Sequence, residues 1–214
     1  MKPFHKFFTE AITFTEAPNH IAGDLPVSSQ TGDIKTSQIM SITSLTHRSK
    51  HLSDIHIDGL ESDLSLYQRD LGNGYILILG MIPYDENYAV CIFSLKLIKY
   101  DINGLTNVWK VETVFTHEPY QALGIARSVY GEIVNIDKII LSDDTQYDGA
   151  VALWKRLAVH ADSLNVQVKV YDMRSRTFIV GNNGSDIYDG DNIPDDTIWS
   201  EVGKSHIRLL LIPK

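Results

Sequence analysis

The chain has 214 residues, of which 43% are hydrophobic and 21% are charged, a balance typical of one globular domain with a sizeable core. The formal net charge of −8 argues against broad nucleic-acid binding, because neutralising phosphates requires concentrated lysine and arginine. The single cysteine, Cys91, excludes an intramolecular disulfide and a cysteine-rich zinc site. Its apolar neighbours indicate a buried packing residue, and a chain without disulfides suits a reducing cytoplasm.

The apolar runs of the sequence are short. The longest, residues 75–82 and 208–213, fall well below the roughly 20 residues that span a bilayer. The basic N-terminus is interrupted by Thr9, Glu10 and Thr15 before any continuous apolar core. We therefore expect no membrane segment, no secretory signal and a cytoplasmic location.

The beginning of the chain has weak periodicity. Residues 1–52 mix Ser, Thr, Gly and Pro, which predicts an irregular N-terminal extension packed on a core domain of residues 53–214. Within that domain, the segment 53–71 carries apolar side chains at helical spacing and predicts a short amphipathic helix. These side chains are Ile57, Leu60, Leu64 and Tyr67.

The centre of the chain has the period of strands. Three runs rich in β-branched and aromatic residues, joined by short turns, predict three consecutive antiparallel strands at 75–82, 87–101 and 107–115. The order that follows is a helix, a strand at 137–142, a helix at 147–164, and strands at 166–172, 176–180 and 205–213. This order predicts an α/β fold with a mixed, mostly antiparallel sheet flanked by helices.

The segment "EPYQALGIARSVYGEIV", residues 118–134, lies where a strand gives way to a helix. Gly124 and Ala126 keep the first helical turn narrow, and the free amides of a helix N-terminus bind phosphate readily. The alternative is a glycine that merely allows the helix to pack closely against the sheet. The residues of this segment leave both interpretations open.

The six residues from Gln121 to Ala126 resemble the Gln/Arg-x-x-Gly-x-Gly/Ala pyrophosphate loop of the GNAT acetyltransferase superfamily. The segment 139–160 is similar to the strand and helix that follow this loop in the family, and the resemblance covers roughly residues 75–212. It implies a GNAT-like fold that binds acetyl-CoA or another acyl-CoA and transfers the acyl group to an amine. The residues it implies for cofactor binding are Gln121, Ala122, Leu123, Gly124, Ile125, Ala126 and Arg127. The pantetheine arm would then lie between the family's fourth and fifth strands.

Catalysis in this family uses a base that removes the amine proton and an acid, often tyrosine, that protonates the departing thiolate. The candidates are Glu112, whose alternative role is a salt-bridged carboxylate; His117, whose alternative is a plain loop histidine; and Tyr147 as the acid. Trp154 stands where the family's helix often carries tyrosine, and an indole cannot supply a proton at neutral pH. The usual proline before the loop is also displaced, to Pro119.

The whole pattern, including "LSDD" followed by "GAVALWKRL", also resembles GNAT-like proteins of bacteriophages, which leaves two functions open. The first is an acyl-CoA-dependent N-acyltransferase acting on a small molecule, a protein or a modified nucleotide. The alternative is a catalytically inactive GNAT-like viral protein that binds and modulates a host protein in the host cytoplasm. Trp154 and Pro119 favour the alternative, and the intact loop favours the enzyme.

No metal site is predicted. His47, His51 and His56 are spaced by four and five residues and lie only loosely on one helical face. The acidic segment 182–196 resembles a calcium loop in composition only, so we expect an exposed loop there. Lys155 and Arg156 are expected to form a solvated helix face.

Overall fold

The computed structural model describes residues 13–14, 19–21, 39–102, 104–199 and 206–214. Within them, eleven strands form one open sheet and two further strands form a separate parallel pair. The strands are β1 (Thr13–Phe14), β2 (Asn19–Ile21), β3 (Ile39–Ser41), β4 (Lys50–Ile55), β5 (Leu64–Gly72), β6 (Tyr75–Pro83), β7 (Tyr88–Ile102), β8 (Leu105–Thr116), β9 (Ile139–Leu141), β10 (Thr145–Tyr147), β11 (Val166–Asp172), β12 (Thr177–Phe178) and β13 (Ile207–Pro213). The helices are α1 (Ile42–Arg48), a 3-10 helix (Glu118–Leu123), α2 (Ile125–Asn135), α3 (Asp148–Val159) and α4 (Asp195–Ile198).

The main path of the sheet runs β12-β11-β13-β9-β8-β7-β6-β5-β4, while β1 also pairs with β8 and β3 with β7. Every described pair in this sheet is antiparallel except β8 with β9, which is parallel. The predicted α/β class with a mixed, mostly antiparallel sheet flanked by helices is therefore confirmed at this level. The small second pair consists of β2 and β10.

The three predicted central strands are confirmed as β6, β7 and β8, which pair in consecutive antiparallel order. Their apolar side chains pack on both faces of the sheet, because successive residues of a strand point to opposite sides. Ile76 and Ile78 join the core that contains α2 and α3, whereas Leu77 and Leu79 pack with Leu45 of α1 on the other face. Cys91 belongs to this second core.

Cys91 is 2% exposed, so its predicted packing role is confirmed. Burial raises the pKa of its thiol to about 12, which leaves it protonated and unreactive at neutral pH.

The predicted helix over residues 53–71 is wrong. β4 ends at Ile55 and β5 begins at Leu64, with a turn between them. Ile57 and Leu60 lie in that turn and pack on the main core, so their spacing imitates a helix. Leu64 and Leu66 are buried on one face of β5 with a residue between them, which is the period of a strand.

The predicted domain boundary at residue 52 falls inside β4. β3 pairs with β7, and Leu45 of α1 is 1% exposed, so residues 39–52 belong to the sheet and its core rather than to an irregular extension. These elements were not predicted because short, only partly buried elements leave weak periodicity in the sequence. Most of residues 1–38, the earlier part of the extension predicted for residues 1–52, lies outside the described residues.

The two long helices form as predicted, and both pack on one face of the sheet. Ile125, Val129 and Ile133 of α2 are buried at helical spacing, and the ring of Tyr130 meets that of Trp154 from α3 edge-on at 6.1 Å. The later strands also follow the prediction as β9, β11 and β13, while the strand expected at 176–180 is reduced to β12. The acidic segment 182–196 is exposed at its carboxylates but anchored by the buried Tyr188.

β8 continues beyond the end of β9, and we call the point after Leu141 where their pairing stops the separation of β8 and β9. They pair only where Val108–Lys110 meets Ile139–Leu141, after which β9 ends and β8 continues to Thr116. A register shift against β7 leaves Glu112 as the extra residue of a bulge at the start of this stretch of β8 beyond β9. Beyond the bulge, β1 pairs with β8 at Val114 and Phe115.

Candidate functional site

A cavity of about 630 Å³ lies between the turn that precedes α2 and one face of α3. The end of β8 beyond β9, which pairs with β1, contributes Val114 and Thr116 to its wall, and this places the cavity beside the separation of β8 and β9. Of the seven residues predicted to bind a cofactor, six line the cavity. They are Gln121, Ala122, Leu123, Gly124, Ala126 and Arg127.

Ile125, the seventh predicted residue, is fully buried in the main core. Its side chain anchors the first turn of α2, which leaves that turn's backbone near the cavity. The side-chain Nε2 of Gln121 donates to the carbonyl oxygen of Thr116 at 3.1 Å, tying the turn to the end of β8. Core packing and this hydrogen bond together hold the α2 N-terminus at the cavity wall.

Gly124 joins the 3-10 helix to α2 with φ +71°, a left-handed conformation that glycine adopts without strain. A Cβ built there would lie 3.3 Å from Nη2 of Arg127, and the nearest atoms are those of the guanidinium rather than of the sheet. Close packing against the sheet therefore does not explain this glycine. The first amides of α2 have no acceptor within the helix, as at any helix start, and carry its partial positive charge.

The ionisable residues that line the cavity are all basic. Arg127 comes from α2 and Arg156 from α3, while His160 caps the C-terminus of α3. No Asp or Glu is among the lining residues, although the chain as a whole has a formal charge of −8. The remaining wall is small or apolar, so the cavity suits a ligand that carries negative charge on an apolar body.

Arg156 and His160 are the lining residues that the sequence prediction missed. Arg156 was expected on a solvated face, and it is exposed, but it also faces the cavity. The available signal was the spacing of Gly149, Leu153, Arg156 and His160, which places them on one side of a helix. The sequence alone does not show that this side meets the turn before α2.

The three candidate catalytic residues do not line the cavity. Oε1 of Glu112 lies 3.5 Å from Nζ of Lys110, which is the salt bridge named as its alternative role. His117 is 2% exposed and packs edge-on against Phe115 and Tyr120, and burial lowers its pKa. Tyr147 is partly buried at the position that caps the N-terminus of α3.

A second group of charged residues lies where β8 and β9 separate. Nζ of Lys110 lies 2.9 Å from Oδ1 of Asp143, and Arg208 pairs with Asp144. Burial alone would lower the pKa of Lys110, but the hydrogen bond that it donates to Asp143 and the surrounding carboxylates raise it. Burial of Asp143 raises the pKa of its carboxyl, despite the hydrogen bond that it accepts from Lys110.

In the part of the chain that the structure describes, no three His, Cys, Asp or Glu side chains lie close enough together to hold a metal ion. His51 and His56 instead contact Asp54 and Asp63, each at 3.1 Å. Among the same residues, no helix is long and apolar enough to cross a membrane.

The fold and the cavity together define an α/β protein with an open, mostly antiparallel sheet and a basic cavity at a helix N-terminus. The sequence matches no protein-family model, and neither a curated protein nor a solved structure matches the chain.

Proposed function

We propose that the chain is an acyl-CoA-dependent N-acyltransferase of GNAT-like fold that transfers an acetyl or other acyl group to an amine. The observation that carries this proposal is the basic cavity at the turn from Gln121 to Arg127, the segment that resembles a pyrophosphate loop. A diphosphate suits this place because free helix amides and Arg127 both favour negative charge.

The separation of β8 and β9 supports the same proposal. An extended arm requires a groove that continues from the phosphate site toward the sheet, and Val114, Thr116, Gly149 and Ala150 provide small or uncharged walls there. The resemblance implies an arm between the strands that correspond to β8 and β9. The acyl end would then approach the bulge at Glu112.

Acyl transfer requires the amine nitrogen to attack the thioester carbonyl, the carbon–sulfur bond to break, the amine to lose a proton and the thiolate to gain one. Glu112 lies on β8, two residues from the cavity wall at Val114, and its carboxylate suits the base. The phenol of Tyr147 suits the acid. His117, buried with a lowered pKa, is neutral at pH 7 and is the second candidate base.

Trp154 favours a second candidate function, that of an inactive GNAT-like viral protein that binds and modulates a host protein. Its indole is fully buried against Tyr130 and supplies no acid at neutral pH. The pairing of β1 with β8 at Val114 and Phe115 also covers part of the β8 edge beyond the separation.

The two candidates are separated by calorimetric titration of acetyl-CoA into the wild-type protein and a Gly124→Glu variant. The introduced carboxylate would lie beside the α2 amides and Arg127, so we expect binding to be lost. Gly184→Glu is the matched control, since Gly184 has φ +77° and nothing within 4 Å of an added Cβ. Backbone strain is then similar in both variants.

Binding by the wild type and Gly184→Glu, but not by Gly124→Glu, supports the cofactor site. The next step is then a screen of small amines, proteins and modified nucleotides for acyl transfer, read by mass. A well-folded wild type that does not bind acetyl-CoA contradicts the acyltransferase and favours the binding protein.

A further inference from the structure

The cavity extends well beyond the turn before α2. Its α3 wall runs from Gly149 to His160, and the eleven steps between these residues correspond to roughly 16 Å at 1.5 Å per step. This length exceeds what one diphosphate occupies. The α3 wall therefore offers places for other parts of a ligand.

The two ends of this wall differ in chemistry. Gly149, Ala150 and Ala152 at the N-terminal end are small and uncharged, whereas Arg156 and His160 lie at the C-terminal end. Residues four apart on a helix are neighbours on its surface, so the guanidinium and the imidazole flank one place in the cavity. An arginine with a second donor beside it is suited to a phosphate monoester.

A simpler explanation is that basic residues stand near the α3 C-terminus to complement its partial negative charge. Lys155 fits that explanation, because its Nζ lies 2.5 Å from Oδ2 of Asp195. Arg156 and His160 differ from it, since both line the cavity and neither forms an ion pair within the described residues. With no carboxylate in the cavity wall, the guanidinium and the imidazole are left for a ligand.

We infer that Arg156 and His160 form a second anion site, separate from the α2 N-terminus, which binds a phosphate monoester of the ligand. This inference rests on the proposed function, and it identifies the ligand as a nucleotide that carries a monoester in addition to its diphosphate. Coenzyme A has such a group on its ribose, and dephospho-coenzyme A lacks it.

The test is calorimetric titration of coenzyme A and dephospho-coenzyme A into wild-type protein, Arg156→Gln/His160→Gln and Lys155→Gln. We expect the wild type to bind coenzyme A roughly tenfold or more tightly than the dephospho form, as charged hydrogen bonds imply. The double variant loses this preference and keeps its affinity for dephospho-coenzyme A. Lys155→Gln, which removes a neighbouring cation outside the cavity wall, keeps the preference.

Equal binding of both compounds by the wild type overturns the second anion site and leaves the proposed function standing. Binding of neither compound overturns both proposals. If the double variant loses both compounds equally while its thermal unfolding is unchanged, Arg156 and His160 serve the diphosphate, and the separate site is overturned.

Discussion

Nζ of Lys110 lies 2.9 Å from Oδ1 of Asp143, and this ion pair joins β8 to the chain after β9 at the place where the two strands separate. Both side chains are mostly buried, with 17% and 19% of their surfaces exposed. A pair in such a place stabilises the protein less by its net attraction than by the penalty that either charge suffers when left alone.

The first prediction concerns this pair. Lys110→Met leaves Asp143 without its partner, and Asp143→Asn leaves Lys110 with only the longer contact to Glu112, whereas the double variant removes both members of the pair. We expect a coupling free energy of about 1 kcal/mol, reduced from that of a fully buried pair because water still reaches both groups. Urea unfolding of the two single variants, the double variant and the wild type measures it.

Glu112 provides the comparison, since it also contacts Lys110 but at 3.5 Å and with 31% of its side chain exposed. Coupling between Lys110 and Glu112 should be weaker than that between Lys110 and Asp143. Equal coupling in the two cycles would show that the ion pair with Asp143 does not specifically hold the separation point.

A second prediction concerns the left-handed turn at Gly124. Gly124→Ala places a β-carbon in a conformation with φ +71° and 3.3 Å from Nη2 of Arg127, so it should lower the free energy of unfolding by about 1 kcal/mol. Gly184→Ala has a similar φ of +77° but open space around the new methyl group.

Thermal unfolding of both alanine variants separates strain from crowding. The loss of stability in the Gly184 variant measures the backbone strain alone. Any additional loss of stability in the Gly124 variant measures the contact of the new methyl group with Arg127. Since that guanidinium ends a flexible side chain, we expect the additional loss to be small. An additional loss of several kcal/mol would mean that Arg127 is fixed in place.

The third prediction concerns Trp154, which is fully buried and whose Nε1 has no hydrogen-bond partner within the described residues. Trp154→Ala should lower the free energy of unfolding by about 3–5 kcal/mol through the cavity it leaves. Trp154→Phe should cost much less, because it also removes the unpaired donor. Urea unfolding measures both, with the exposed Val159→Ala on the same helix as the control.

Local patterns account for the parts of the fold that the sequence predicted. β6, β7 and β11 are strands whose apolar residues are buried on the sheet, and short turns give β6, β7 and β8 their antiparallel order. The helix predicted for residues 53–71 was wrong because a turn places Ile57 and Leu60 at helical spacing. Periodicity alone does not distinguish a buried turn from a helix in so short a segment.

The cavity was predictable only in part. The turn from Gln121 to Arg127 carries its own signal, since glycine and small residues at a helix start are visible in one segment. Arg156 and His160 belong to another helix, and their approach to this turn depends on how α2 and α3 pack on the sheet. Such long-range contacts leave no pattern within a single segment.

The last prediction concerns the pH dependence of stability through His117. Burial lowers the pKa of this imidazole below its unfolded value of 6.5, so the unfolded chain binds a proton more readily than the folded protein. The free energy of unfolding should therefore be highest above pH 6.5 and fall as the pH drops through the folded pKa.

Urea unfolding across this range should show a shallower fall in the free energy of unfolding for His117→Gln than for the wild type. His47→Gln, at an exposed position on α1, should keep the wild-type slope. If the free energy of unfolding has the same pH dependence in all three proteins, the fold does not hold His117 neutral. His117 would then no longer be the second candidate base.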